Sequence, residues 1–382
     1  MTVPGGVGLT GEVGVIDCPI CVGQLHWEQA PLLTLDADGT ENPLDLRTVH
    51  GDANRRRLLM HAYRRCPGND AQPPHLLPER FPGLGTRPVT IGLVGASGTG
   101  KTHLLAAMVS RLHDATVMAR MNLQVQGLDL RMHAAYLGGQ VSRFIDRREE
   151  LPATRIDAPV EFAVGLMVDD LVSGRSHTVV IFDVSGERLQ SPDRDLAFIN
   201  QLSALLCVVD PTAVLGLTGP RQGGVGGDHA FDATMDRLKN ARCRPGSPLV
   251  PIPAATVVTK ADLLTRRGYS EITRWLPHGL HEDLDLGTVE EESRAVYAFL
   301  ASRNGKRWLG PAHECWDSTL HLASATGTSA VVTEEGARTV GRFPEASFRQ
   351  RRVLRPLLTL FALTGVLDMG TARNLGRPEG AR

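Results

Sequence analysis

An α/β fold, with a mostly parallel six-stranded sheet and helices on both faces, is predicted by three apolar runs that each end in a polar motif. Val89-Thr90-Ile91-Gly92-Leu93-Val94 runs into Gly95-Ala96-Ser97-Gly98-Thr99-Gly100-Lys101-Thr102. Thr178-Val179-Val180-Ile181-Phe182 runs into Asp183-Val184-Ser185-Gly186-Glu187, and Ala254-Ala255-Thr256-Val257-Val258 into Thr259-Lys260-Ala261-Asp262. Buried parallel strands read as near-continuous apolar runs, and the residues that do chemistry gather beyond their carboxyl ends. Strand-like stretches at 160–168, 205–209 and 318–323 complete the six.

Composition bounds the reading only mildly. The 382 residues are 42% hydrophobic and 22% charged, with a net charge of −1. That is ordinary for a soluble globular protein and gives no overall pull toward nucleic acid or an anionic membrane. The first ten residues carry no basic residue and do not read as a signal peptide. The most apolar late stretch, 353–367, holds Arg355 and Pro356 and is too short to span a bilayer. A cytoplasmic location is expected, with no nucleic acid and no membrane span. Three parts are expected: 1–87, a zinc-ribbon-like segment; 88–368, the α/β domain with insertions at about 103–150 and 268–317; and a flexible tail, 369–382.

The first part rests on cysteine. Cys18-Pro19-Ile20-Cys21 has the spacing and turn-forming proline of half a zinc ribbon, and Cys66-Pro67-Gly68 resembles part of the second half. Asn69 stands where a second Cys-x-x-Cys would be completed, and it is not a usual zinc ligand. His75 and His61 are the nearest imidazoles; the expected set is Cys18, Cys21, Cys66 and His75. The competing reading is a tight turn with Cys66 simply buried.

The strand, glycine-rich loop and helix order at 89–112 is that of a P-loop. Gly95, Gly98 and Gly100 let the backbone curl until N–H groups of the loop, Ser97 and Thr99 included, point at a β-phosphate, and the following helix adds its positive end. Lys101 is expected to reach the β- and γ-phosphates and Thr102 to bind Mg²⁺. A helical segment is expected at 130–149. Thr154, in Leu151-Pro152-Ala153-Thr154-Arg155, is the candidate for a switch hydroxyl on Mg²⁺, Thr116 being the only other Thr between the loop's helix and the next strand.

Asp183, at a strand end, is placed to hold Mg²⁺ through a water, with the Gly186 N–H free to touch a γ-phosphate and Glu187 as a candidate base. Arg155 and Arg188 flank these segments, and a solvated surface role is the simpler reading of each. A core strand then ends in Asp210-Pro211, and 216–228 is Gly-rich. Only four of the 41 basic residues are Lys, and two of them, Lys101 and Lys260, lie in motifs, which suggests that the amine itself is needed there.

Thr-Lys-Ala-Asp decides the base. A carboxylate beyond a strand end accepts two hydrogen bonds from the N1–H and N2–H₂ edge of guanine, whereas adenine would leave it unpaired. Asp262 is the expected reader, the Lys260 stem lies along the purine, and Thr259 ties this loop to the P-loop. The plainer alternative is a surface turn with Asp262 capping a helix. In the 268–317 insertion, Thr288-Val289-Glu290-Glu291 reads as a capping box opening a helix to 302, and Trp275, Trp308 and Trp316 are expected to pack it onto the core. Residues 348–363 read as a closing helix.

Taken in order, the glycine-rich loop, Asp-Val-Ser-Gly-Glu and Thr-Lys-Ala-Asp resemble the Ras-like P-loop GTPases of the translation-factor-related class. Ser324-Ala325 matches that family's base-contacting loop, and the resemblance spans 88–326. More narrowly, Cys-Pro-x-Cys, the later Cys-Pro and His-Leu-x-Pro ahead of the loop, with Thr-His-Leu-Leu-Ala-Ala-Met after it, resemble bacterial double-GTPase-type proteins of GTPase-associated systems. The resemblance implies GTP and GDP as ligands, Mg²⁺ as cofactor, and a protein effector or activating partner. Two departures stand out: Glu187 replaces the usual Gln, and 82 positions separate Lys101 from Asp183. A GTP-binding switch with slow hydrolysis is therefore expected. An ATPase, or a nucleotide-bound scaffold without turnover, are the alternatives.

Overall fold

The computed structural model describes residues 14–36, 38–70, 72–84, 86–152, 160–184, 195–216, 229–243, 247–276, 286–303, 305–335 and 338–368. The N-terminal segment forms two small antiparallel sheets. β1 (Val15–Asp17) pairs with β2 (Gln24–His26), while β3 (Leu32–Leu35), β4 (Glu41–Pro43), β5 (Tyr63–Cys66) and β6 (His75–Pro78) form a second sheet in the order β4-β3-β5-β6. Helix α1 (Asp52–Met60) connects β4 to β5 and buries no side chain.

A larger sheet follows, made of β7 (Val89–Val94), β8 (Leu123–Gly127), β9 (Val160–Asp170), β10 (Arg175–Val184), β11 (Leu202–Val209), β12 (Ala254–Val258) and β13 (Ser318–Leu322) in the order β13-β12-β11-β7-β10-β9-β8. The five strands from β13 to β10 are parallel, and β9 runs antiparallel to both β10 and β8. The sheet thus has seven strands, not the six predicted. The seventh is Leu123-Gln124-Val125-Gln126-Gly127, whose alternation of apolar and polar residues suits an edge strand with one wet face. It lies within a stretch otherwise helical: α2 (Lys101–Leu112), α3 (Ala115–Met121) and α4 (Leu130–Tyr136) surround it.

Period-two alternation gives the sheet two distinct cores. Val89, Ile91 and Leu93 of β7 and Val179 and Ile181 of β10 join α2 and the closing helix Arg355–Leu363 on one face. Val94, Val180 and Phe182 face the other way, toward Leu25, Trp27, Leu77 and Phe81 of the N-terminal segment. That segment is fixed there by polar contacts as well: Leu76 N donates to Asp129 Oδ2 at 2.7 Å, and Arg80 lies 3.7 Å from Asp169. At the far end of α2, His113 and His133 of α4 bring their Nε2 atoms to 2.7 Å.

The insertion after β12 carries the helix Val289–Ser302, as the sequence indicates, but its capping box does not form. Thr288 makes no cap bond, because its hydroxyl accepts from Arg355 Nη2 at 2.6 Å. Of the three tryptophans expected to pack the insertion down, Trp308 is buried and Trp316 is 69% exposed. One turn into the helix, the fully buried Glu292 receives Arg352 Nη2 at 2.5 Å, Arg355 Nε at 2.8 Å and the Leu322 amide at 3.0 Å. Burial opposes a charge on Glu292, but His321, Arg352 and Arg355 outweigh it and hold the carboxyl down to about 2, from an ordinary 4.5.

A carboxyl depressed in the folded state contributes stability above its unfolded value and loses it as pH falls toward the folded one. Removing one member of a buried charge network costs about 3–5 kcal/mol. Glu292→Gln is therefore expected to lower the urea midpoint strongly at pH 7. The deficit relative to wild type should shrink as pH drops below about 4.5; a deficit independent of pH would remove Glu292 from that role.

Candidate functional site

β7 ends at the centre of the sheet, between β10 and β11, and the glycine-rich loop leaves it there. The space is tight: a Cβ on Gly95 would sit 2.6 Å from the Val208 carbonyl oxygen, so only glycine fits without a backbone shift. Gly100 takes a left-handed φ of 92°, which lets the chain turn directly into α2 at Lys101. Ser97 and Gly98 form the exposed crest of the loop, and the Thr99 hydroxyl donates back to Ala96 O at 2.9 Å. Lys101 is buried, its ammonium donating to Gly95 O at 2.6 Å and Ala96 O at 3.1 Å. Thr102 follows in the first helical turn.

Asp183 is the penultimate residue of β10, level with Leu93 of β7 in the parallel register. Val179 and Ile181 point into the core beneath α2, so alternation puts Asp183 on that same face, at the end from which α2 starts. Thr102 and Asp183 thus offer a hydroxyl and a carboxylate, the hard oxygen ligands that Mg²⁺ takes. Thr154, Gly186 and Glu187, along with Arg155 and Arg188, lie outside the described residues.

The Thr-Lys-Ala-Asp loop closes the other side. The Thr259 hydroxyl donates to Thr99 O at 2.6 Å, and Lys260 Nζ donates to Gly98 O at 2.8 Å. Lys260 also pairs with Asp210 Oδ2 at 2.6 Å. Asp210 is a site residue that sequence reasoning passed over, since it read only as the end of a strand. Lys260 itself has a left-handed φ of 48°, and the helix Ala261–Arg266 begins at the next residue. Asp262 accepts from the Ser324 hydroxyl at 2.7 Å through Oδ1 and from Arg266 Nη2 at 2.6 Å through Oδ2. It caps no helix. Ser324 is buried and held by an antiparallel bridge to Arg351, with N···O distances of 3.0 and 2.8 Å, while Ala325 packs on the α2-side core.

His103, beside Thr102, is kept neutral by burial and then by the Lys260 charge, which hold its imidazole down to about 4. Its Nε2 accepts the Leu151 amide at 3.0 Å, fixing the chain just ahead of 153.

A second constellation lies in the N-terminal segment. Cys18, Cys21, Cys66 and His75 are all buried, and their ligand atoms lie within 4.8 Å of one another, an arrangement that could hold a metal ion. The Cys21 and Cys66 sulfurs are 3.7 Å apart, close to the edge of a tetrahedron with metal–sulfur bonds of about 2.3 Å. His75 Nδ1 meets Pro73 O at 2.8 Å, which sets the tautomer that leaves Nε2, 3.0 Å from Cys18 Sγ, as the ligand atom. His61 is exposed and takes no part. Asn69 supports the knuckle instead, its side-chain amide donating to Cys21 O at 2.8 Å.

No family model matches the chain, and no curated protein matches it. Among solved structures, the crystal structure of the bacterial selenocysteine-specific elongation factor EF-Sec aligns over 63% of this chain, at 15% identity and a TM-score of 0.23. The chain covers 26% of that factor.

Metal binding at the cysteine cluster is open to direct measurement. Cobalt(II) added to the metal-free protein is expected to give an intense thiolate charge-transfer band at one equivalent, and Cys66→Ser to abolish it. Binding should weaken as pH falls, because the thiols must shed protons to ligate. Absence of the band at neutral pH would leave the cluster as a buried thiol turn.

Proposed function

We propose that the chain is a GTP-binding switch that hydrolyses GTP slowly to GDP with Mg²⁺, and that a structural Zn²⁺ at Cys18, Cys21, Cys66 and His75 steadies its N-terminal segment. One observation carries the reading: Thr259 and Lys260 bond to the carbonyls of Thr99 and Gly98, so Asp262 and the glycine-rich loop share one frame. A nucleotide bridging them has its phosphates at the start of α2 and its base at Asp262. The Asp262 carboxylate already accepts one hydrogen bond on each oxygen, and each oxygen has a second lone pair. Those two remaining acceptors match the N1–H and N2–H₂ donors of guanine.

In this reading Lys101 turns from the loop carbonyls to the β- and γ-phosphates, and the N–H groups of 95–102 carry the remaining charge. Thr102 and Asp183 hold Mg²⁺, which neutralises charge on the phosphate oxygens. Thr154 completes that set and Gly186 senses the γ-phosphate. Glu187 orients or activates the attacking water, an acid in place of an amide and hence slow. Loss of the γ-phosphate frees the segments around 154 and 186 to move, which is how an effector would read the state. The expected boundaries, 1–87 for the zinc-bearing segment and 88–368 for the GTPase domain, belong to the same proposal.

Two substitutions test it. Asp262→Ala is expected to weaken a fluorescent GTP analogue by about 100-fold or more, since two charge-assisted hydrogen bonds are lost, and to leave the ATP analogue nearly unchanged. Equal wild-type affinity for the two analogues would favour an ATPase. Glu187→Ala is expected to lower phosphate release without changing GTP affinity; unchanged release would make the chain a nucleotide-bound scaffold.

A further inference from the structure

α4 ends at Tyr136 and passes into a π-helical turn, Leu137–Val141, that contains Gly138 and Gly139. π-turns cost backbone hydrogen bonding and are retained mostly at functional places. Two buried oxygens in this short stretch, Tyr136 Oη and Gln140 Oε1, have no hydrogen-bond partner among the described residues. A buried polar atom left without a partner is costly and calls for an explanation, a bound ion or water among them. The Tyr136 ring packs against the apolar cluster that holds Leu93, Leu104 and Ile181, the face of the sheet on which Asp183 lies. Packing alone would be served equally by phenylalanine.

We infer that Tyr136 is a positioning residue of the nucleotide site, its hydroxyl donating a hydrogen bond to a magnesium-bound water held at Asp183. The inference rests on the GTP reading above. A phenol keeps its proton at neutral pH and so can donate there; burial, and then the Asp183 carboxylate, push it further up. Asp183 thus lies close enough to act on the phenol electrostatically, and Tyr136 is delivered by the insertion after α2 rather than by either switch segment. A titratable carboxylate at this position would compete for the cation, whereas a phenol reinforces its hydration shell without adding charge.

Tyr136→Phe in the full chain, stripped of nucleotide, tests this. Mg²⁺ is titrated in the presence of a fluorescent GTP analogue, the same analogue is titrated in EDTA, and the melting temperature of the empty protein is recorded. The Mg²⁺ concentration for half-maximal binding is expected to rise about tenfold, the worth of one hydrogen bond to a polarised water. Affinity in EDTA should not change, and the empty protein should melt at the same temperature or higher, because an unsatisfied hydroxyl has been removed. An unchanged Mg²⁺ requirement overturns the inference while leaving the GTP reading intact. So does a lower melting temperature accompanied by equal losses with and without Mg²⁺, the mark of a packing residue. A wild-type chain that shows no Mg²⁺-dependent GTP binding overturns the GTP reading, and this inference with it.

Discussion

The carboxylate of Glu292 is the anchor on which the Asp262 side of the site hangs. Removing a carboxylate from water is expensive, and only a complete set of partners makes it tolerable. Here two guanidinium groups and the Leu322 amide supply that set, and all three belong to elements distant in sequence from Glu292. The charge therefore joins the insertion helix, the end of β13 and the chain leading into the closing helix. Between the two anchored arginines and β13 lies the Arg351–Ser324 bridge, and Ser324 in turn fixes the rotamer of Asp262. A charge outside the loop thus holds the strand end that carries Ser324, the partner of the residue proposed to read the base.

The N-terminal segment meets the opposite problem. Its strands are three or four residues long, too short to enclose a core of their own. It borrows one from the sheet, with Trp27, Leu77 and Phe81 joining Val180 and Phe182 in one cluster. The cysteine–histidine cluster brings together the β1–β2 turn and the β5–β6 connection, and a metal ion held there would do locally what a larger core would do.

Much of this was legible in the sequence because the signals are local. Each of the three principal motifs follows an apolar run that forms a strand of the sheet, and Cys-x-x-Cys marks a turn by itself. His75 was legible only as one of two nearby imidazoles, since its place depends on how β5 and β6 pair. β8 was hidden because five alternating residues between helices carry little periodic signal. The capping box failed for a tertiary reason: Arg355, 67 positions away, takes the hydroxyl that would have capped the helix. Asp210 was overlooked for the same kind of reason, its partner lying on another strand end.

The pairing of β8 also changes what the insertion after α2 can do mechanically. β8 stitches its upstream end to β9, and the Leu151 amide on His103, together with the Glu150 amide on Gly341 O at 2.7 Å, pins its downstream end. A segment held at one end swings freely, whereas one held at both ends cannot. In this chain the middle is the glycine-containing π-turn beside Tyr136. The insertion is a strap across the α2 face, secured again at Phe144, which packs against His103 and Phe343, with the π-turn lying between its fastenings.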